Sequence, residues 1–201
     1  MQIERGVTGV TTLGPGSRLV VWVNGCNRRC RGCISERLQA FDPENEYDIE
    51  AFLRGFDLSR IDGVTVSGGE PFEQAPELAK LIRLLRRKGV TDILVYTGYT
   101  LEELRARGDG ATDEALSGIS VLIDGPYVAE LDDGTDNIKG SKNQRVLFLK
   151  PGFEKKYSEY MRPERSMQQM PLANILLAAG IPPAGFAERF INDDEEGEDE
   201  V

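Results

Sequence analysis

Short apolar segments alternate with amphipathic ones along most of this 201-residue chain, and that alternation constrains its fold. Runs of β-branched and other apolar residues predict five strands, at 18–24, 63–67, 92–97, 119–123 and 144–149. Apolar residues recur at helical spacing in 48–56 and 78–85, and a capping box begins another helix at Thr100. Such alternation with short turns produces parallel strands joined by right-handed crossovers. The units are too few for a closed eight-stranded barrel, so we expect an α/β fold, a partial (βα) barrel of about five to six parallel strands.

The chain is expected to divide into three parts. Residues 1–152 carry the alternation and are expected to form the partial-barrel domain. Residues 153–191 are less regular; residues 172–179 predict a short helix, and the segment either caps the open side of the barrel or contacts a partner. Residues 192–201 are expected to be a disordered, solvated tail, because seven acidic residues lie between Asp193 and Glu200.

The composition argues against several classes of protein. No segment approaches the ~20 consecutive apolar residues of a membrane-spanning helix. The first residues lack the basic and apolar regions of a signal peptide. The net charge of −10 argues against a nucleic-acid partner. We therefore expect a cytoplasmic protein that binds neither membranes nor nucleic acid.

The three cysteines, Cys26, Cys30 and Cys33, fall within eight residues, and the chain has no histidine. An odd, clustered set is a poor disulfide framework and suits a metal site. A closed zinc site normally has four Cys or His ligands, so zinc would need a carboxylate here. A redox pair of Cys30 and Cys33 would leave Cys26 idle. Three thiolates on a four-iron cluster would leave one iron open to another ligand, whereas ordinary electron-transfer clusters have four.

The spacing C-x3-C-x2-C resembles the signature of the radical S-adenosylmethionine (SAM) superfamily. That resemblance implies a [4Fe–4S] cluster on the three cysteines, with SAM bound through its amino and carboxylate groups to the open iron. An electron from the cluster would cleave SAM to a 5′-deoxyadenosyl radical. The segment Ser67–Pro71 resembles the family's GGEP segment and implies that Gly68, Gly69 and Glu70 bind the SAM amino group. Taken alone, the segment also suits a plain turn between a strand and a helix.

Further matches occur in the right order over roughly residues 5–150, at 14–18, 96–99, 124–127 and 140–145. These segments resemble the activating proteins of anaerobic ribonucleoside-triphosphate reductases. The resemblance implies an oxidoreductase, a glycyl-radical-enzyme activase, whose radical removes a hydrogen atom from a backbone glycine of a partner. It also implies a low-potential reductant such as flavodoxin or ferredoxin. No catalytic side chain is expected beyond the cluster and SAM, since the protein binds and orients the cofactors.

Single residues leave alternatives open. Thr97 and Asp124 end strands on the expected active face, so each either bonds SAM or caps its strand. Asn143 either contacts SAM or shapes a turn. Arginines in the cysteine loop either attract an acidic reductant or are solvated. Two rival functions also stay open: a radical SAM enzyme that modifies another peptide or small molecule, and a non-enzymatic zinc or Fe–S binding module.

Overall fold

A computed structural model of the protein describes residues 1–172 and 175–183. Six strands form one sheet in chain order: β1 Ile3–Val10, β2 Arg18–Val23, β3 Gly63–Gly68, β4 Ile93–Tyr96, β5 Val121–Asp124 and β6 Arg145–Phe148. The helices are α1 Ile49–Arg54, α2 Ala75–Arg87, α3 Leu101–Ala106, α4 Gly110–Gly118 and α5 Glu154–Tyr160. Strands β7 Met167–Leu172 and β8 Ile175–Gly180 form a separate antiparallel pair. None of the helices in these two ranges is long and apolar enough to cross a membrane.

The five strand segments predicted from the sequence are confirmed as β2 to β6, but the prediction of five to six parallel strands is wrong. Strands β2 to β5 are parallel, whereas β1 and β6 run antiparallel to their neighbours at the two edges. A parallel strand needs a crossover that returns the chain to the other end of the sheet, usually a helix. The link between β5 and β6 contains only a 3-10 turn at Ala129–Leu131. The chain therefore stays at the carboxyl edge, and β6 runs back.

The C-terminal region differs from the prediction more strongly. The short helix expected at residues 172–179 is wrong, because this stretch falls largely within β8. Leu177 and Ala179 alternate with exposed neighbours and are buried against Val7 and Val10 of β1. Leucine and alanine favour helices intrinsically, but packing at a period of two overrides that preference here. The acidic tail expected at 192–201 lies outside the described residues.

The main sheet buries side chains on both faces at a period of two. Alternate residues of β2 to β5 face α2, whose predicted apolar stripe is confirmed: Leu78, Leu81, Ile82 and Leu85 are buried. The intervening residues face β7, β8 and α5. Both predicted helix starts are also confirmed, since Asp48 caps α1 and Thr100 forms a capping box with Glu103. With both faces covered, the loops at the carboxyl ends of β2 to β4 are left to build a site.

A buried ionic cluster joins the amino ends of the parallel strands. The fully buried Arg18, which begins β2, donates from Nε to Thr65 Oγ1 of β3 at 2.7 Å and pairs with Asp92 at 3.1 Å. Asp92 lies just before β4 and also accepts from Lys156 and Tyr157 of α5, at 2.6 and 2.8 Å. Burial opposes ionisation of Asp92, but the Arg18 charge and these donors outweigh it and lower the pKa of Asp92. The cluster thus ties β2, β3, β4 and α5 together.

Replacing Asp92 with alanine is expected to lower the free energy of unfolding by roughly 3–5 kcal/mol, because it leaves the Arg18 guanidinium buried without its counter-charge. The measurement is urea unfolding of full-length protein purified without iron. Glu159→Ala is the control, since its pair with Lys155 is exposed and such pairs contribute about 0–1 kcal/mol. Equal losses in the two variants would contradict this role of Asp92.

The ion pair of Arg18 and Asp92 also predicts that the free energy of unfolding depends on pH. The pKa of Asp92 is lower in the folded protein than the ~3.9 of an unfolded aspartate. The stabilisation from its carboxylate is therefore complete above about pH 5 and is lost as the pH falls through the folded pKa. We expect the stability difference between wild type and Asp92→Asn to be constant from about pH 5 to 7 and to shrink below about pH 4. A difference that stays constant down to about pH 3 would count against this assignment.

Candidate metal centre and its cavity

A cavity of about 750 Å³ lies at the carboxyl ends of β2, β3 and β4. The loop after β2 contributes all three cysteines to its wall. The turn after β3 contributes Gly69 and Glu70, and the turn after β4 contributes Thr97 and Gly98. The volume lies in the range of small-molecule sites. The structure therefore brings most of the predicted site residues to one cavity.

The cysteine loop is anchored at its start and left irregular beyond it. The Cys26 N–H donates to Gln39 O at 3.0 Å, and the Cys33 N–H donates to Cys30 O at 3.3 Å. Burial raises the pKa of the Cys26 thiol, while N–H groups of Arg28 and Arg29 donate to its sulfur and oppose that rise. Within the described ranges, Arg29 is the only non-glycine residue with positive φ, at 51°. Such backbone strain is typical of ligand-binding loops.

The three cysteines are half-buried and share one wall, but they do not form a closed ligand set. In residues 1–172 and 175–183, no three Cys, Asp or Glu side chains lie close enough together to hold a metal ion. Ligand sets commonly form together with the metal, because the ion supplies the free energy that orders them. The thiol donors and the irregular loop between them fit a cluster that assembles in this way.

Two glycines bring the end of β3 against the start of the cysteine loop. Gly68 has φ +110°, and a Cβ there would lie 2.5 Å from the backbone nitrogen of Val23. A Cβ on Gly69 would lie 2.3 Å from Gly25 O. In this close approach the Gly69 and Glu70 N–H groups donate to Val23 O and Gly25 O, at 2.7 and 2.8 Å. Only glycine allows both the approach and the conformation.

Glu70 is a buried carboxylate that joins two turns. Its Oε1 accepts from the Phe72 N–H at 3.0 Å and from the Thr97 hydroxyl at 2.8 Å, and its Oε2 accepts from the Gly98 N–H at 2.7 Å. Burial raises the pKa of Glu70 to about 7, against the effect of these donors. A carboxylate has about four acceptor positions. The described residues fill three of these positions and leave one on Oε2.

A second network, not predicted from the sequence, holds the cysteine loop from outside. The Tyr99 ring lies between the guanidinium groups of Arg28 and Arg107, at 4.5 and 4.2 Å from its centre. The Tyr99 hydroxyl donates to Glu73 at 2.5 Å, and Asn27 Nδ2 donates to the same carboxylate at 2.8 Å. Arg28 is therefore stacked on an aromatic ring rather than solvated. In the sequence, the only feature that pointed to this network was the segment at residues 96–99, which contains Tyr99.

The sequence model of a family described as "4Fe-4S single cluster domain" matches residues 12–147. The anaerobic ribonucleoside-triphosphate reductase-activating protein of Escherichia coli is 33% identical over 145 residues, which cover 68% of this chain and 92% of the relative. The protein of that name from Salmonella typhi is 36% identical over 146 residues, with the same coverage. That from Vibrio cholerae is 33% identical over 143 residues, covering 66% and 88%. The chain belongs to this family of activating proteins.

Two residues that the family resemblance suggested as SAM contacts do not line the cavity. Asp124 is fully buried, accepts from the Leu101 N–H at 2.7 Å and pairs with Arg145. Asn143 Nδ2 donates to Pro126 O at 2.7 Å, while its buried Oδ1 has no hydrogen-bond partner among the residues that the structure describes. The cavity is lined instead by their neighbours Gly125 and Gln144. In this structure Asp124 therefore caps α3 and closes the β5–β6 pair.

Another wall of the cavity comes from the C-terminal region, for which the sequence left open a capping role or a partner contact. Met167, the 177–183 segment and Arg165 line the same cavity as the cysteine loop. This wall lies beyond residue 147, where the match to the family model ends. The only sequence signal for it was an apolar run that ends in Pro182-Pro183. Arg5 and Trp22, from β1 and β2, line the same cavity.

Replacing Glu70 with glutamine tests whether its carboxylate joins the turn after β3 to the turn after β4. One amide oxygen cannot serve both the Phe72 and Gly98 N–H groups, which bond different carboxylate oxygens. An unsatisfied buried donor costs about 1–3 kcal/mol, so we expect a lower Tm and faster hydrogen exchange of the Gly98 amide. The control is Glu36→Gln, an exposed change in the cysteine loop. Exchange at Gly98 that matches the control would show that the carboxylate does not brace this turn.

Proposed function

We propose that this chain activates an anaerobic ribonucleotide reductase by placing a radical on a glycine of that enzyme. Cys26, Cys30 and Cys33 would hold a [4Fe–4S] cluster, and SAM would bind beside it in the cavity. Bound together, the cluster and SAM supply reductive cleavage of SAM to a 5′-deoxyadenosyl radical, which removes the glycine hydrogen. The observation that carries the proposal is that the three thiols and the Gly69-Glu70 turn line one cavity.

The protein's part in the proposed reaction begins with the thiols. Three cysteine ligands leave one iron of a four-iron cluster without a protein ligand, and that iron is open to SAM. The Arg28 and Arg29 N–H groups that donate to Cys26 favour its thiolate form, which is the form that binds iron. The loop between Cys26 and Cys33 closes when the ligands and metal assemble.

The two turns beside the thiols would then orient SAM. The glycines expose backbone in a narrow approach, and Glu70 offers its remaining Oε2 position to an ammonium group. The Thr97 hydroxyl donates to Glu70 and accepts from the Tyr99 N–H, so it holds the carboxylate in place. No side-chain base is required, since the residues bind, orient and exclude water around a reactive cofactor.

The proposal also covers architecture and partners. The four parallel strands with covered faces support the partial barrel expected for residues 1–152. Residues 153–183 would act as the expected capping segment, since α5, β7 and β8 pack on that sheet. Exposed Arg31 pairs with exposed Glu130, at 3.4 Å, and would face an acidic reductant such as flavodoxin or ferredoxin.

The test is anaerobic reconstitution with iron and sulfide, followed by SAM cleavage under dithionite. We expect about four iron and four sulfide per chain in the wild type, and 5′-deoxyadenosine formation that falls to background in Cys26→Ala, Cys30→Ala and Cys33→Ala. The matched control is Glu36→Ala, an exposed change in the same loop outside the cavity lining. With the reductase present, the wild type should also yield a glycyl radical detectable by electron paramagnetic resonance.

Three outcomes would separate the alternatives. Unchanged 5′-deoxyadenosine formation in the cysteine variants would overturn the cluster assignment. SAM cleavage without a glycyl radical on the reductase would favour another substrate. Stoichiometric zinc and no SAM cleavage would favour a binding module without enzyme activity.

A further inference from the structure

The C-terminal wall of the cavity is built by the region beyond the family match. The 177–183 segment presents Leu177, Ala178, Ala179, Gly180, Ile181, Pro182 and Pro183 to the cavity. Their side chains carry no hydrogen-bonding groups, so this wall is apolar, whereas the cysteine loop that lines the same cavity is rich in arginine. Apolar walls exclude water from a site and strengthen the electrostatic interactions inside it. Two sets of contacts hold this wall in place.

One edge of the wall is fixed to the loop after β1. Gln168 Oε1 accepts from the Thr11 N–H at 2.8 Å, and Gln168 Nε2 donates to Gly9 O at 2.9 Å. The Thr12 hydroxyl donates to Ala179 O at 2.7 Å. Leu177 and Ala179 add apolar packing against β1. These contacts seat the hairpin on the main sheet but do not reach its far end at Pro182.

The far end is held by one side chain, Arg165. Its guanidinium is 2% exposed and forms an ion pair with Asp132 at 2.8 Å. It donates to Asp136 O at 2.9 Å, to Gly140 O at 3.0 Å and to Pro182 O at 3.0 Å. Three of these partners belong to the loop between β5 and β6, and the fourth belongs to the wall. Arg165 therefore joins two sides of the cavity.

We infer that Arg165 is a positioning residue that holds the C-terminal wall of the cavity in place and so limits access to the three cysteines that line the same cavity. The inference rests on the proposed function in one respect: the closed wall couples SAM cleavage to the presence of the reductase by shielding the cluster side when no partner is bound. A planar guanidinium with five donors can hold several carbonyls and a carboxylate at once, which lysine cannot do. Arg165→Lys should therefore rescue the closure only in part.

The first measurement does not depend on the cluster or on SAM. It is the rate at which a thiol reagent modifies the three cysteines of full-length protein purified without iron. In Arg165→Ala we expect this rate to rise by about tenfold or more, because the loss of even one charge-assisted hydrogen bond shifts an opening equilibrium by about that factor. The modification rate of Arg165→Lys should lie between those of Arg165→Ala and the wild type. Arg162→Ala, an exposed arginine three residues earlier, should match the wild type.

A second variant provides a test of the same wall in case Arg165→Ala does not fold. Gln168→Ala loosens the other edge of the same wall and leaves the 132–140 loop bonded to Arg165. We expect faster thiol modification in this variant too, with a far-ultraviolet circular dichroism spectrum like that of the wild type. Wild-type modification rates in both folded variants would overturn the inference.

The second measurement is the number of glycyl radicals formed per 5′-deoxyadenosine released, with and without the reductase. In Arg165→Ala we expect cleavage without the reductase to increase and the yield of glycyl radical per SAM to fall. An unchanged yield together with unchanged thiol rates would contradict the inference. If the wild type cleaves no SAM but the thiol rates change in Arg165→Ala, the proposed function fails. The role of Arg165 in holding the C-terminal wall is then still supported.

Discussion

The buried guanidinium of Arg18 holds three parallel strands together at one end of the sheet and, through Asp92, also α5. Its contacts with Thr65 and Asp92 lie at the amino ends of β2, β3 and β4, opposite the site. A buried charge requires a specific set of partners, since desolvation is unfavourable in any other arrangement. The cluster therefore specifies which strand ends meet. It also extends this order to α5, which leads into the region beyond the family match.

With the amino ends fixed, the carboxyl ends of the same strands meet around Glu70. This carboxylate accepts from one hydroxyl and two backbone N–H groups. The glycines before it allow backbone contact with the cysteine loop, and the Tyr99–Glu73–Asn27 chain holds that loop from the other side. The cysteine loop is thus attached to a rigid frame, while the backbone between the thiols is irregular. Such a frame suits ligands that assemble with their metal.

The cavity joins two regions of different origin in the sequence. Its floor comes from the part that matches the activating proteins, and one wall comes from residues beyond residue 147. The floor carries the polar and thiol groups of the proposed chemistry. The wall carries apolar groups and is held by Arg165, which bonds carbonyls of both regions. The cavity therefore combines the groups of the family match with an apolar wall from outside that match.

Local patterns in the sequence determined the positions of β2 to β6, the caps at Asp48 and Thr100, and the placement of the thiols beside the glycine turn. These depend on near neighbours, since side-chain period, capping and strand-end loops are read within a few residues. The alternation with helices also predicted that β2 to β5 are parallel. The antiparallel direction of β6 was not predicted, because a period of two is the same in parallel and antiparallel pairs. The tertiary structure alone decided that β6 runs back, that Asp124 bonds Arg145 rather than facing the cavity, and that residues 175–180 form a strand. The partners of β6 and of Asp124 lie 21 or more residues away, and the packing that buries Leu177 and Ala179 comes from β1, near the other end of the described chain. Such contacts leave no period or motif in the local sequence.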